Sequence, residues 1–304
     1  MSDFDAVGFG ALNVDKLYMV DEIAETEDES FVTEYKESCG GSAANTMVGL
    51  ARLGLKVGFV GKVADDREGR LLLDDFRKEN VDTQGVVVAK NGLSGVVMGF
   101  IDKEGQRALY VVPGVNDTID SKGLSLDYLR RTRLLHLSSF AGEKSFESQK
   151  RVVDRVSSSV KLSFDPGMLY AKRGLPALRP IIRRAFTMMP NEVELKLLTG
   201  KGYEEGAKKL SSEGVEIVAV KLGKKGCFVT NGKEKHLLKP CKAEAVDTTG
   251  AGDAWNAGFL YGILKNKNLH ECGRLGNLVA SRCIRKMGAR TGLPHLTELQ
   301  FRKT

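Results

Sequence analysis

Several patterns that mark common protein classes are missing from this 304-residue chain. Its five cysteines are odd in number and form no CxxC pair, and its four histidines have no metal-ligand spacing. There is no GxxxxGK(S/T) loop, so a P-loop NTPase is excluded, and no GxSxG elbow or HExxH helix supports a hydrolase. No apolar run approaches the length of a membrane span. These absences leave a globular protein with reduced thiols, and we expect a cytoplasmic one that binds no membrane.

Positively charged residues outnumber negatively charged ones, and the formal net charge is +7. A basic protein attracts anionic partners, nucleotides and nucleic acids among them. Lysine and arginine are nevertheless scattered, without a basic tail or a basic–aromatic stripe, so we expect no nucleic-acid partner. The first residues are acidic and lack an apolar segment, and we therefore expect no signal peptide.

Predicted strands and helices alternate along most of the chain. Buried strands fit residues 4–10, 56–63, 134–138, 161–164 and 216–222, and runs with helical spacing separate most of them. The last two long helices are predicted at 251–264 and 269–287. This alternation predicts a mostly parallel sheet covered by helices on both faces. Residues 16–38 are polar and acidic apart from a β-prone run at 30–35, and further short β-prone runs interrupt the pattern at 86–89, 95–101 and 107–112. The hairpin formed by the last two runs, together with residues 30–35, predicts a small separate sheet, discontinuous in sequence, that serves as a lid or a dimer surface.

Residues 247–253 contain the segment around which the chain is organised. Gly250 and Gly252 flank Ala251 and allow a backbone to approach an anion closely. A helical pattern follows, so these residues would lie at a helix N-terminus, where free N–H groups favour negative charge. Asp253 in the same turn would suit phosphoryl transfer, accepting a proton from the attacking hydroxyl. An ordinary polar first turn of a helix explains the spacing equally well.

Other suggestive groups follow predicted strands, at the edge where open α/β sheets bind ligands. Asn191 fits a helix N-cap, whereas Glu194 would also serve a magnesium ion, which takes only one or two carboxylates besides phosphate oxygens. The basic, glycine-rich turn from Lys221 to Gly226 fits either a solvated turn or a phosphate neighbourhood. Small residues at 40–45 suit either close ligand approach or tight helix packing.

Taken in order, these motifs resemble the ribokinase-like, or PfkB, family of carbohydrate and nucleoside kinases. The match extends from about residue 7 to 293. It rests on the DTTGAGD segment at 247–253, the GGSAAN segment at 40–45 and the NEVE segment at 191–194. The resemblance implies a three-layer α/β/α ribokinase-like sandwich with a mostly parallel central sheet. It also implies one kinase domain over 1–304, with a discontinuous β lid built from about 14–38 and 93–116.

The resemblance also implies roles for individual residues. Asp253 would be the catalytic base, and the backbone of Gly250, Ala251 and Gly252 would form the anion hole. Substrate-binding positions are Asp15, Gly41, Asn45 and Arg107. Nucleotide-binding positions are Asn191, Lys221, Gly223, Gly226 and Asn277, the last near adenine. Glu194 is associated with Mg²⁺, indirectly, and Asp247 and Thr249 are candidates for a monovalent cation such as K⁺.

The implied activity is transfer of the γ-phosphoryl group of ATP, with Mg²⁺, to a hydroxyl of a small sugar. No acidic residue stands around 137–139, where ribokinases proper tend to have one, and only Arg107 on the lid offers a guanidinium for an acidic sugar. Residues 165–167 and 288–294 look like those of archaeal nucleoside kinases, so a nucleoside is the alternative acceptor. ADP as donor and a non-catalytic sensing relative are more distant alternatives. A homodimer through the lid is expected.

Overall fold

The computed structural model describes residues 3–104 and 106–299. Nine strands form the large sheet, in the spatial order β13-β12-β11-β10-β9-β8-β1-β4-β5. Their bounds are β1 Phe4–Phe9, β4 Val57–Ala64, β5 Val81–Ala89, β8 Thr132–Leu137, β9 Lys161–Phe164, β10 Ala185–Met188, β11 Ile217–Lys221, β12 Cys227–Thr230 and β13 Lys235–Leu238. All pairs from β5 to β11 are parallel, and the two edge strands β12 and β13 are antiparallel.

In the part of the chain that the structure describes, ten α-helices cover the two faces of this sheet. One face carries α1 Ser42–Arg52, α2 Arg67–Lys78, α9 Ala251–Leu264 and α10 Leu269–Cys283. The other carries α3 Leu126–Arg130, α4 Glu143–Arg155, α5 Gly167–Ala171, α6 Leu175–Ile182, α7 Glu192–Thr199 and α8 Tyr203–Ser212. Adjacent strand residues point to opposite faces, so Ala6 packs in the first core and Val7 in the second. The predicted three-layer α/β/α sandwich is confirmed.

A separate four-stranded sheet forms the lid, in the order β3-β2-β6-β7. Its strands are β2 Asn13–Val20, β3 Val32–Gly40, β6 Gly95–Ile101 and β7 Arg107–Val112. Strand β2 pairs antiparallel with β3 and parallel with β6, and β6 pairs antiparallel with β7. Paired residues share a face, so Asp15, Leu17 and Leu109 lie on one face and Tyr18, Phe100 and Tyr110 on the other.

Some element bounds differ from the expectation. Residues 13–20 form strand β2, although the polar sequence from residue 16 onward predicts no strand there, because pairing with β3 and β6 supplies the hydrogen bonds. The last long helix ends at Cys283 and not near 287. The carbonyl of Ile284 accepts N–H groups of Val246 and Asp247, at 2.8 and 3.2 Å, and thereby connects the helix end to the loop before α9. Within the described residues, no helix has the length and apolar character needed to cross a bilayer.

Candidate active site

Asp253 lies in the first turn of α9, three residues after the N-cap Gly250, whose backbone is left-handed (φ 74°). Both carboxylate oxygens are held from the start of α1: Ser42 Oγ donates to Oδ1 at 2.7 Å and Asn45 Nδ2 donates to Oδ2 at 2.8 Å. Burial raises the pKa of Asp253 to about 6, although both hydrogen bonds favour the ionised form. The carboxylate is therefore oriented, mostly ionised at neutral pH and more basic than an exposed aspartate, as a general base requires.

The glycine-rich turn 250–252, next to Asp253, packs tightly against the backbone and side chain of Ala289. A side chain at Gly250 would meet Ala289, 2.6 Å from the position of its Cβ. The N–H of Ala251 donates to the carbonyl of Thr248. Because first-turn N–H groups of a helix have no intrahelical acceptor, the backbone of Gly252 and Asp253 is the part of this turn best suited to an anion.

A cavity of about 370 Å³ opens beside Gly252 and Asp253. It brings together side chains from several strand ends that are distant in sequence: Ser42, Asp165, Asn191, Glu194, Lys221 and Asp253. Gly167 and Gly223 complete its wall. The sequence predictions for 40–45, 191–194, 221–226 and 247–253 therefore meet at one place, at the carboxyl edge of the large sheet.

Lys221 lines this cavity and is mostly buried, with 13% of its side chain exposed. Its Nζ donates to Asp165 Oδ2 at 2.6 Å and to Asn256 Oδ1 at 3.3 Å, and Asn256 Nδ2 donates to the same Asp165 oxygen at 2.5 Å. Burial opposes the charge of Lys221, but the carboxylates of Asp165 and Glu194 outweigh it and keep its pKa above the usual value. A Cβ atom built on Gly252 would lie 3.6 Å from Nζ, so the ammonium group lies beside the anion-binding turn.

Asn191 and Glu194 form a reciprocal capping box at the start of α7. The Glu194 N–H donates to Asn191 Oδ1 at 2.8 Å, and the Asn191 N–H donates to Glu194 Oε2 at 2.9 Å. The helix-capping interpretation is thus confirmed, and both residues also line the cavity. Burial, followed by the charge of Asp165, raises the pKa of Glu194 to about 7. Two nearby carboxylates, Glu194 and Asp165, fit the small acidic ligand set that Mg²⁺ takes beside phosphate oxygens.

Asp15 on the lid and Asn45 on α1 lie at the other end of the site, with Gly40 and Gly41 between them. A Cβ atom on Gly40 would lie 2.2 Å from Asp15 Oδ2, and one on Gly41 would lie 2.3 Å from the Ala11 carbonyl. Burial raises the pKa of Asp15 to about 6; Arg290 opposes this shift, and the charge of Asp253 adds to it. The close approach to Gly40 places the Asp15 carboxylate beside the start of α1, where Ser42 and Asn45 hold Asp253.

Ten of the sixteen predicted site residues do not line this cavity, and four of the ten, Asn277, Arg107, Gly226 and Asp247, have other surroundings. Asn277 is buried, accepts a hydrogen bond from Trp255 Nε1 at 2.9 Å and donates to the Lys239 carbonyl at 2.9 Å. Arg107 is exposed on β7, and a side chain at Gly226 would meet the Leu238 carbonyl. Asp247 accepts the N–H groups of Thr249 and Gly288, each at 2.8 Å. The ligand roles assigned to these residues stay predictions.

Two residues of the site were not singled out from the sequence. Asn256 lies one turn after Asp253 in α9 and contacts both Asp165 and Lys221. Arg290 donates from Nε to Asn45 Oδ1 at 2.7 Å. Asn256 belongs to no short motif, and Arg290 lies in the segment 288–294, which was compared with nucleoside kinases only as a whole. The available signals were therefore a polar residue on the buried face of a helix and a charged residue between two glycines, Gly288 and Gly292.

Residues 4–296 match the family model described as "pfkB family carbohydrate kinase". The chain belongs to the PfkB family. It is 49% identical to an uncharacterized sugar kinase of Archaeoglobus fulgidus over 81% of this chain and 98% of that protein. A ribokinase structure from Thermotoga maritima is 27% identical, with a TM-score of 0.86 over 97% of both chains. Arabidopsis thaliana ribokinase, solved with ribose and ATP, has the same fold at 24% identity (TM-score 0.85, 98% of this chain and 97% of that one). This PfkB protein is therefore a phosphotransferase that acts on a hydroxyl group.

Proposed function

We propose that this PfkB protein transfers the γ-phosphoryl group of ATP to a hydroxyl of a small sugar, with Asp253 as the general base. The observation that carries the proposal is the position of the Asp253 carboxylate. It lies in the turn that offers backbone N–H groups to an anion, and Ser42 and Asn45 orient both of its oxygens. A base and an anion site on adjacent residues are what in-line phosphoryl transfer to an alcohol needs.

The acceptor would lie between the lid and α1, within reach of Asp15, Gly41 and Asn45. As its hydroxyl attacks, Asp253 takes the proton, while the backbone of Gly252 and the Lys221 ammonium group stabilise charge on the phosphoryl oxygens. Glu194 and Asp165 would hold Mg²⁺, which neutralises phosphate charge when bound. Closure of the lid would exclude water, a competing nucleophile.

A nucleoside is the second candidate acceptor. The lid face that carries Asp15 also carries Leu17, Leu109 and Val111, and the last two are about half exposed (51% and 53%). These apolar side chains would suit a planar base attached to the sugar. A free sugar would leave most of this surface uncovered when the lid closes.

The deciding experiment measures ADP release with Mg²⁺ and ATP over ribose, fructose, ketodeoxygluconate, adenosine, inosine, guanosine and cytidine. We expect one acceptor to stimulate ADP release well above the background of the Asp253→Asn variant, and EDTA to abolish that stimulation. Comparing K⁺ with Na⁺ tests the proposed cation site near Asp247 and Thr249, and AMP release with ADP as donor tests the alternative donor. Acceptor-independent hydrolysis that Asp253→Asn leaves unchanged would contradict the proposal.

The lid also supports a homodimer. The face opposite Asp15 carries a cluster of four aromatic rings (Tyr18, Tyr35, Phe100 and Tyr110), with centroid separations of 5.1, 5.2 and 6.0 Å. Tyr35 and Tyr110 are 48% and 59% exposed. An apolar sheet surface of this kind is typical of an interface, and a second lid would be its matching partner.

A further inference from the structure

Arg290 is a buried cation just behind the proposed acceptor site, and only 8% of its surface is exposed. It belongs to the loop 288–293, which packs beside the anion-binding turn through Ala289. Its Nε donates to Asn45 Oδ1 at 2.7 Å, one Nη donates to the Asp75 carboxylate on α2, and the other reaches the Gly40 carbonyl at 3.4 Å. The guanidinium group thus contacts the lid, α1 and α2.

The contact with Asn45 determines how the Asn45 amide is oriented. A guanidinium group has only donors, so only the amide oxygen of Asn45 can face Arg290. The amide NH₂ group then points the other way, and it donates to Asp253 Oδ2 at 2.8 Å. An amide rotated by 180° would present its NH₂ group to Arg290 and its oxygen to the Asp253 carboxylate, and both contacts would be repulsive.

We propose that Arg290 is a positioning residue that locks the Asn45 amide and, through it, orients the base Asp253. The relay is Asp75–Arg290–Asn45–Asp253 and joins α2 to the first turn of α9. The kinetic consequences of this proposal rest on the proposed kinase function, whereas the structural relay does not. A hydrogen bond to the ionised base both aims it and favours its carboxylate form.

Arg290 also acts on the second carboxylate of the site. It lowers the pKa of Asp15, opposing the larger effect of burial. The other charged groups that act on Asp253 are Asp165 and Lys221, at the strand ends, and Arg290 contacts neither. One cation therefore serves both the acceptor-binding carboxylate and, through Asn45, the base.

Arg52 offers a matched control. Its Nη1 donates to the carbonyl groups of Arg290 and Leu293, at 2.7 and 2.9 Å, and its other nitrogens pair with Glu79. Arg52 therefore anchors the same loop 288–293 without contacting Asn45. Replacing Arg52 with Met loosens the loop, whereas replacing Arg290 with Met removes the hydrogen bond that orients the Asn45 amide.

The experiment follows the Asp253 carboxyl by ¹³C NMR in aspartate-labelled protein, with the signal assigned through Asp253→Asn. We expect Arg290→Met to raise the pKa of Asp253 by about one unit, because the amide can then turn its oxygen toward the carboxylate. We expect Arg52→Met to leave that pKa unchanged even where its Tm falls. In the kinase assay, Arg290→Met should lower kcat by ~10²-fold and move the acid limb of kcat/KM to higher pH, as expected for a misplaced base.

Two further variants separate positioning from folding. Arg290→Lys keeps the charge and one donor and should restore part of the lost turnover. In an Asn45→Ala background, Arg290→Met should have almost no further effect on the Asp253 titration, because the relay is already broken. An Asp253 titration that is unchanged in Arg290→Met, or shifted equally by Arg52→Met, would overturn the proposal. If the titration shifts as expected but no acceptor is phosphorylated, the positioning role stands and the proposed kinase activity fails.

Discussion

The floor of the cleft, formed by Asp165, Lys221 and Asp253, and the lid above it differ in how far their side chains are held by contacts within the chain. On the floor, Asp165 is buried, Asp253 and Lys221 are partly buried, and each is held by hydrogen bonds of 2.5–3.3 Å within the chain. On the lid, Leu109 and Tyr110 are neighbours in sequence, point to opposite faces and are both more than half exposed. The floor is therefore organised before any ligand binds, whereas the lid leaves apolar side chains uncovered on both of its faces.

The largest effect should come from removing the base on the floor. We expect Asp253→Asn to lower kcat by ~10²- to 10⁴-fold, the usual contribution of a general base, while ATP still binds. In the unchanged protein, kcat/KM should fall tenfold per pH unit below about pH 6, because the base becomes protonated there. Steady-state kinetics across pH, together with ATP binding by calorimetry, check both expectations.

The thermal stability of Asp253→Asn provides a control for its activity. The pKa of Asp253 is higher in the folded state than in the unfolded chain, so protonation of this carboxyl favours folding. The protonated carboxyl therefore stabilises the folded protein below the unfolded pKa, and this stabilisation is lost as the pH rises through about 6. At pH 8 we therefore expect Asp253→Asn to have a Tm no lower than that of the unchanged protein. Turnover within tenfold of normal would refute the assignment of the base.

The next effect should come from the buried ion pair on the floor. Lys221→Met leaves Asp165 buried and uncompensated, and we expect a loss of about 3–5 kcal/mol in the free energy of unfolding. The KM for ATP should also rise by ~10-fold or more, because the ammonium group beside Gly252 is lost. Lys225→Met is the control, since Lys225 forms an exposed ion pair with Glu192 and should change neither quantity appreciably. Equal effects of the two variants would contradict a special role for Lys221.

A smaller effect is expected where lid and floor meet. Gly40→Ala places a methyl group against the Asp15 carboxylate, which must move away. We expect the KM for the acceptor to rise by ~10-fold with a smaller change in kcat, because Asp15 binds and Asp253 reacts. Gly123→Ala, with open space around the position, is the matched control. An unchanged acceptor KM in Gly40→Ala would remove Asp15 from the acceptor site.

The smallest catalytic effect should come from the lid face that points away from the site. Tyr110→Lys places a charge in the aromatic cluster and should shift a dimer toward the monomer in light scattering at micromolar concentration. Initial rates should change by less than ~3-fold, as long as the opposite face still closes over the acceptor. Val246→Lys, an exposed apolar position outside the lid, should leave the oligomeric state unchanged. A protein that is monomeric before any substitution would refute the dimer.

Much of this arrangement was predictable from sequence because its parts are local. The alternation of strands and helices, the capping box at Asn191 and Glu194, and the glycine turn before Asp253 each depend on residues close together in the chain. The resemblance places residues 14–38 in the lid, but strand β2 itself was not predicted from the residues, because they pair with the distant β3 and β6 and carry no clear β pattern of their own. The bounds of α10 were missed for a similar reason, since the Ile284 carbonyl is taken by residues 246–247.

The sequence alone established the family, the layered fold and the residue types of a phosphoryl-transfer site, because these are carried by short motifs in a fixed order. Only the tertiary structure showed that Asn45 connects Asp253 to Arg290, that Lys221 and Asp165 neutralise each other, and that the lid exposes apolar groups on both faces. These relations join residues 56 to 245 positions apart. Hydrogen-bond partners at that separation are selected by packing, and no local spacing encodes them.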